Sequence, residues 1–295
     1  MGKPLISIML LTWNAKEVTA DCIESIKKQT FKDYEVLLID NGSTDGTVKY
    51  LKKKFPFIKL VENKKNIGYA GGHNSGISKA KADYILVLNN DVVLDKNFLQ
   101  ELWNNRNKAD ILGIKNYFYD KRDVFWAIGS SVNEYLMVAK LKGNKEKDVG
   151  QYDKMDIDQA VGSAMLVNKK VIDKVGFLDA SLFAYYEETE WQTRAQRAGF
   201  KISWVPSAKL WHKVAYSYGG EKSPIAAYYL VRNRGYYIQR WGKYKILAYP
   251  YWVLEVLMRI AYGLIKNRKY AKLSLRGAID FLKSVKGKIE GHDSL

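Results

Sequence analysis

For its first hundred residues the chain alternates short apolar runs with stretches of helical period. The runs at 6–11, 35–39, 58–61 and 84–88 are nearly continuous in Ile, Leu and Val, which predicts strands buried on both faces. Between them, 18–29, 47–54, 70–79 and 95–106 read as helices. A β-α-β-α rhythm of this kind predicts an α/β protein with a mostly parallel central sheet and helices on both faces. The rhythm breaks after the apolar run at 110–118. The charged, Gly-containing stretch 140–153 reads as a mobile loop or hairpin tip. Apolar structure resumes at 157–167, followed by a short helix (169–175), an aromatic and acidic loop, a helix near 190–198, and strands at 201–205 and 208–211. From Pro224 onward the pattern is helical and basic.

Composition narrows the class. A chain of 295 residues with 47% hydrophobic and 27% charged residues is globular and long enough for a substantial core. A single cysteine, Cys22, excludes an internal disulfide and suits a reducing compartment. Met1-Gly-Lys-Pro runs straight into the first strand, so no signal peptide is expected. The net charge of +17 points to a phosphorylated substrate, an anionic membrane surface or nucleic acid. Fourteen Lys and Arg lie between Arg232 and Glu290 against Glu255, Asp280 and Glu290, with Tyr, Trp, Leu and Ile interleaved. The stretch 246–265 has the length of a membrane span, but Pro250, Glu255 and Arg259 argue against one. An interfacial amphipathic helix remains open.

Candidate chemistry gathers at the ends of the predicted strands, where ligands bind in open α/β sheets. The fourth strand ends in Asn89, Asn90 and Asp91, hard oxygen ligands for a divalent cation that bridges phosphates, or else an Asx turn before the next helix. The second ends in Asp40-Asn-Gly-Ser-Thr-Asp45, where Asp40 and Asn41 can meet the edge of a nucleobase and Ser43 or Asp45 can cap the helix at Thr47. Asn66-Ile-Gly-Tyr-Ala-Gly-Gly-His-Asn-Ser-Gly76 opens a helix with four glycines, suited to close approach of a phosphate or ribose. It lacks the Gly-Lys-Ser/Thr ending of a P-loop and follows the third strand, so it is no dinucleotide fingerprint either. No nucleic-acid-binding motif accompanies the basic charge, and no nucleic acid is expected as a partner.

Taken in order, Thr12-Trp-Asn14, Asp40-Asn-Gly-Ser-Thr-Asp45, Asn66-x-Gly68, Asn74-x-Gly76 and Asn89-Asn-Asp91 resemble the inverting family 2 glycosyltransferases of the GT-A fold, in particular the rhamnosyltransferase-like branch. Gly162-Ser-Ala-Met-Leu-Val167, Val175-Gly-Phe-Leu-Asp179, Phe183-Ala-Tyr-Tyr-Glu-Glu-Thr-Glu-Trp191, Val205-Pro206 and His212 continue the resemblance, with Glu187-Glu188 where that family has Glu-Asp. The resemblance implies a GT-A domain over 1–220 and a basic helical region over 221–295 that meets a membrane or a second subunit. It implies transfer of one sugar, with inversion, from a UDP- or dTDP-sugar to a glycan or lipid-linked acceptor. Donor binding falls to Thr12, Asn14, Asp40, Asn41, Asn66, Gly68, Asn74, Asn89 and Asn90. A divalent cation, Mn²⁺ or Mg²⁺, falls to Asp91 and His212. Glu188 takes the place of the catalytic base with Glu187 beside it, and Tyr186, Glu190 and Trp191 face the acceptor. Tyr228-Tyr-Leu-Val-Arg-Asn233 matches a segment that follows the domain, without an assigned role. The enzyme is then cytoplasmic, with peripheral attachment at the inner face of the cell membrane and homo-oligomerisation as further options. A non-catalytic nucleotide-sugar-binding subunit and, below it, a basic nucleic-acid-binding protein are the alternatives.

Overall fold

The computed structural model describes residues 2–214 and 223–291, so the domain boundary placed at 220/221 lies outside the described residues. Strands β1 (Ile6–Thr12), β2 (Tyr34–Asp40), β3 (Lys59–Glu62) and β4 (Tyr84–Asn89) alternate with helices α1 (Lys16–Lys27), α2 (Thr47–Lys54) and α3 (Gly68–Ile77). All four strands are parallel, in the order β3-β2-β1-β4. Their side chains separate into two cores with period two. Ile6, Ile8, Leu10, Val36, Leu38, Leu86 and Leu88 fill one face. Met9, Leu37, Ile39, Ile85 and Val87 fill the other. A sheet covered on both faces must be apolar at every position, which is why these strands read as continuous runs.

After β4 the chain makes a two-residue turn into β5 (Val92–Leu94), then α4 (Phe98–Asn104), β6 (Ile111–Phe118) and β7 (Phe125–Ala127). Strands β8 (Gly129–Asn133) and β9 (Val138–Lys142) form a separate hairpin. Lys140 therefore sits within a strand, and the stretch read as one loop from 140 begins with regular structure. Next come β10 (Ala164–Asn168), α5 (Lys169–Val175), a 3-10 turn at Ala180–Leu182, α6 (Glu187–Arg197) and β11 (Ile202–His212). The main sheet continues β4-β10-β6-β11-β5, with β10 antiparallel to both neighbours, β11 parallel to β6 and β5 antiparallel to β11. The parallel half is as the pattern predicts, and the second half is mixed.

The two strands expected at 201–205 and 208–211 are one. A register shift between Val205 and Lys209, at Pro206, bends β11 without ending it. Pro206 has no N–H for the ladder, so pairing lapses there and resumes beyond it.

This topology curls the sheet. β4 and β5 are joined by Asn90 and Asp91 alone, yet stand four places apart in the strand order. In a flat sheet four spacings amount to ~19 Å, whereas three Cα steps reach only ~11 Å. The far edge of the sheet must therefore return to the carboxyl end of β4.

Helices α7 (Pro224–Trp241), α8 (Lys245–Lys266) and α9 (Arg268–Leu282) complete the described chain. Ser223 caps α7, its Oγ accepting from the Ala226 N–H, and Pro224 occupies the first turn. Side chains from all three helices share one apolar cluster that includes Val231, Tyr237, Trp252 and Phe281. No helix among the described residues is long and apolar enough to cross a membrane.

Candidate active site

Asp91 lies in the β4–β5 turn, and β11 ends beside it. His212 pairs with Val92 across the ladder, and the Lys213 N–H donates to the Asp91 carbonyl at 2.8 Å. Residues 121 positions apart are thus fixed by backbone register, and His212 Nε2 stands 3.1 Å from Asp91 Oδ1. Both side chains are buried, and Asp91 Oδ1 and His212 Nδ1 have no hydrogen-bond partner. Asp91 Oδ1, buried and without a hydrogen bond, faces His212 Nε2, and two such donor atoms would suit one cation. Two ligand atoms about 2.1 Å from one octahedral ion stand about 3.0 Å apart, close to the separation seen. Among the described residues no cluster of three or more His, Cys, Asp or Glu is arranged to hold a metal, so the remaining ligands would have to come from elsewhere. The Trp126 ring packs edge-on against His212 at 4.7 Å, which fixes the imidazole plane.

The acidic signature is the first turn of α6. Glu187, Glu188 and Glu190 all lie in it, with Tyr186 at the N-cap. A helix N-terminus ordinarily favours carboxylates, yet burial wins here. Desolvation, and then the neighbouring Glu188, hold the Glu187 carboxyl well above the usual carboxylate range. Desolvation also raises Glu188. Glu187 Oε2 is buried without a partner, and Glu188 is the more exposed of the two. Two close carboxyls do not readily carry two charges, and water reaches Glu188 more readily than Glu187.

Glu188 lies against Gly162. A Cβ at that position would come within 2.9 Å of Glu188 Oε1, so the glycine makes room for the carboxylate. Gln192, one turn further along α6, donates to the Ala160 carbonyl at 2.9 Å and accepts from the Ala160 N–H at 2.7 Å, tying the helix to that segment. The Tyr69 hydroxyl donates to the Gly162 carbonyl at 2.9 Å. Burial and then the charges of Glu188, Glu187 and Asp91 push the Tyr69 phenol up. Tyr69 and Gly162 lie within quoted motifs but had no assigned role; the tertiary contacts supply it. His73 packs on the Tyr69 ring at 4.6 Å, and burial depresses its pKa to about 3, so it is neutral.

The residues expected to bind a donor meet at the carboxyl ends of β1, β2 and β4, but most of their polar groups bind each other. Thr12 Oγ1 is 2.9 Å from Thr19 Oγ1, and Asn90 Nδ2 donates to Thr19 at 2.8 Å. Asn41 Nδ2 donates to Asn66 Oδ1 and to the Gly68 carbonyl, both at 3.0 Å, and its Oδ1 accepts from the Ile67 N–H. Asn14 Oδ1 accepts from the Thr44 N–H, joining the first loop to the second. Asn74 Nδ2 donates to the Leu178 carbonyl at 2.7 Å. Gly68 has φ +81°, and a Cβ there would strike the Phe183 carbonyl, so the close approach it permits is to the chain itself. These groups hold the loops in place. Asn66 Nδ2 and Asn74 Oδ1 are also left without a partner. Two more groups remain available. Asp40 Oδ2 accepts from the Gly42 and Ser43 N–H groups while its buried Oδ1 has no partner, and Asn89 is half-buried at the same edge.

The acceptor set divides. Trp191 is fully buried, its indole N–H on the Gly176 carbonyl and its ring against Phe177, so it belongs to the core and not to a sugar-binding wall. Glu190 is also buried. Its oxygens accept from Arg194, Arg240 and Trp241, which commits it to joining α6 and α7. Tyr186 stays half-buried beside Glu187, its backbone at φ +71°, with burial pushing its phenol to about 12.

The unassigned segment 228–233 holds the loop in front of the acids. Asn233 Nδ2 lies 2.9, 2.7 and 2.8 Å from the carbonyl oxygens of Leu182, Ala184 and Tyr185. Arg232, fully buried, donates to the Leu182 carbonyl at 2.9 Å and to the Gly287 carbonyl at 2.8 Å. Phe183, Tyr185 and Tyr186 all have positive φ, a conformation that non-glycine residues keep only when their surroundings impose it.

The glycosyltransferase GlyG of Streptococcus pneumoniae is 30% identical over 125 residues, 40% of this chain and 41% of that protein, so the chain spans less than half of that relative. The N-acetylglucosaminyl-diphospho-decaprenol L-rhamnosyltransferase of Mycobacterium tuberculosis is 23% identical over 254 residues, 76% of this chain and 81% of that one. Among solved structures, the Pyrobaculum calidifontis mannosyltransferase PcManGT in complex with GDP-Man and Mn²⁺ superposes with a TM-score of 0.61 at 15% identity, covering 96% of this chain and 88% of that one. S. aureus TarS 1–349 in complex with UDP-GlcNAc gives 0.59 at 15% identity, covering 95% and 81%. These superpositions establish the GT-A-type fold. The sequence model of glycosyl transferase family 2 matches residues 7–176, more than half of the chain, and the chain belongs to that family.

Proposed function

We propose that this protein is an inverting glycosyltransferase that moves one sugar from a UDP- or dTDP-sugar to a glycan or lipid-linked acceptor, in the cytoplasm. The observation that carries the reading is the convergence of two sites on one short segment: Glu188 lies against Gly162, whose carbonyl accepts from the Tyr69 hydroxyl, and the next residue, Ser163, accepts from the Asn89 N–H two residues before Asp91, which pairs with His212. The transferase unit spans 1–220, and 221–295 forms a helical unit fastened to it.

In this reading Asp40 receives the nucleoside through its free Oδ1, and Asn89 lines the same edge. Asp91 and His212 would hold a divalent cation, Mn²⁺ or Mg²⁺, which would supply neutralisation of the charge that develops on the diphosphate leaving group. Glu188 takes the proton from the acceptor hydroxyl as that oxygen attacks the anomeric carbon from the face opposite the diphosphate. Glu187, the more deeply buried of the pair, would hold its proton and so keep a second negative charge away from Glu188. Tyr186 borders the acceptor side.

The test is turnover with a panel of UDP-, dTDP- and GDP-sugars and a lipid-diphosphate or oligosaccharide acceptor, with the anomeric configuration of the product read by NMR. Inversion is expected with one donor strongly preferred. A product that retains the donor configuration would exclude single displacement. Donor binding without transfer to any acceptor, in the presence of Mn²⁺, would favour a non-catalytic nucleotide-sugar-binding subunit.

A further inference from the structure

Helix α8 is turned inside out for a protein in water. Its only charged residues between Lys245 and Lys266 are Glu255 and Arg259, and both are turned toward the protein. Glu255 pairs with Arg234 of α7 and, at 2.9 Å, with Arg259, whose guanidinium also donates to the Tyr270 hydroxyl at 2.8 Å. Every exposed residue between those two lysines is apolar, Tyr or Pro. Ile246 is 84% exposed, Leu257 57% and Ile265 81%, with Val253, Leu254 and Leu264 between them. From α9, Leu275, Ile279 and Leu282 extend the exposed apolar surface. A helix of 22 residues is about 33 Å long, and an apolar face of that length far exceeds the scattered exposed leucines of an ordinary surface.

The charges around this face are of one sign. Lys243 and Lys245 stand at its start, Lys266 and Arg268 at its end, and Lys272 and Lys283 along α9. No exposed Asp or Glu lies between residues 243 and 288. A second copy docking face to face would bring two cationic rims together. An acidic bilayer surface matches both features, since acyl chains take the apolar side chains and anionic headgroups take the rim.

We propose that the exposed face of α8 and α9 is a membrane-docking surface on which α8 lies in the plane of an anionic lipid interface. It does not span the bilayer. The binding is independent of the transferase reading, because none of these side chains belongs to the Asp91–His212 or Glu187–Glu188 sites. It gives a physical place to the anionic surface that the basic composition suggests.

The test is flotation of the full chain with vesicles of phosphatidylcholine alone and of phosphatidylcholine with 40% phosphatidylglycerol. Tenfold or greater preference for the anionic vesicles is expected, weakening in 0.5 M NaCl. The variant Leu257→Glu with Ile265→Glu should lose at least tenfold in vesicle affinity, and Lys266→Gln with Arg268→Gln should lose less and show a shallower salt dependence. Both variants alter exposed side chains, so circular dichroism melts should match the parent and the thermal shift induced by nucleotide sugar should be unchanged. Equal recovery with neutral and anionic vesicles, no recovery with either, or anionic binding that survives the double Glu substitution would overturn the proposal. So would sedimentation showing a dimer that the double Glu variant dissociates while vesicles bind neither protein; the face would then be covered by a second copy. Loss of vesicle binding with an intact donor response separates failure of this surface from failure of the transferase reading.

Discussion

At the scale of single residues, two carboxyls on consecutive residues differ in burial. Glu187 is nearly inaccessible and Glu188 half-buried, and burial raises both. Glu188→Gln should lower kcat by about 10² to 10⁴-fold with donor binding retained, measured by single-turnover transfer and by calorimetry. The pH dependence has a definite sign. The base works ionised, so the acid limb of kcat should lie above the ordinary glutamate value of 4.5. Stability runs the other way. A carboxyl whose folded pKa is raised contributes its full stability below 4.5 and loses it as pH rises through the shifted value. Glu187→Gln, neutral at every pH, should therefore raise Tm at pH 8 more than at pH 4, and a loss of Tm at pH 8 would contradict the assignment of a buried, proton-holding Glu187. Asp91→Ala should leave the melting temperature nearly unchanged while abolishing turnover that EDTA also abolishes. Undiminished turnover in EDTA would remove the cation from the mechanism.

At the scale of elements, α7 is the part whose role the motifs left blank. Its Asn233 satisfies three carbonyls in a loop where Phe183, Tyr185 and Tyr186 hold positive φ. Strain of that kind costs about 1–3 kcal/mol per residue and persists only while the surroundings enforce it. Asn233→Ala removes the donor and leaves buried carbonyls unpaired, at about 1–3 kcal/mol. The loop should then relax and misplace Glu187 and Glu188 on the turn that follows. The expected signature is a fall in kcat of tenfold or more with donor KM nearly constant, together with a lower Tm. A purely structural role would lower Tm and leave kcat at low temperature intact. The same element also explains why Glu190 is unavailable to an acceptor, since Arg240 and Trp241 of α7 occupy it.

At the scale of the whole molecule, the curl of the sheet is what creates a site. Because Asn90 and Asp91 alone connect β4 to the far edge, the sheet folds back until His212 meets Asp91. Donor binding should then be cooperative with the cation, since each completes the other's ligands. A thermal shift titration should show a small effect of Mn²⁺ alone, a small effect of nucleotide sugar alone, and a larger one together, growing with the logarithm of donor concentration. Additive shifts, with no dependence of one ligand on the other, would separate the cation from the donor site.

The parallel half of the fold was readable because its cause is local. A strand buried on both faces has to be apolar throughout, and β1, β2 and β4 carry that requirement in consecutive residues. Asp40 and Asp91 were legible for the same reason, as polar residues that abruptly end such runs. The order of short motifs was enough to suggest the family, and with it His212 and Glu188. What the sequence could not supply was any statement about which polar groups are already used. Thr12, Asn41, Asn66 and Asn74 have the composition of a binding site, and only the tertiary contacts show that each spends hydrogen bonds within the protein, on Thr19, on one another (Asn41 and Asn66) and on the Leu178 carbonyl. Trp191 is aromatic in a signature loop, and only burial places it in the core. Tyr69, Gly162 and Asn233 stand in segments the sequence singled out, but their roles could not be read along the chain, because these depend on what stands opposite them after folding. The outward apolar face of α8 is the same case. Its hydrophobic content was plain in the sequence, but a helical period marks two faces without saying which one the rest of the protein covers, and packing against α7 and α9 decided that.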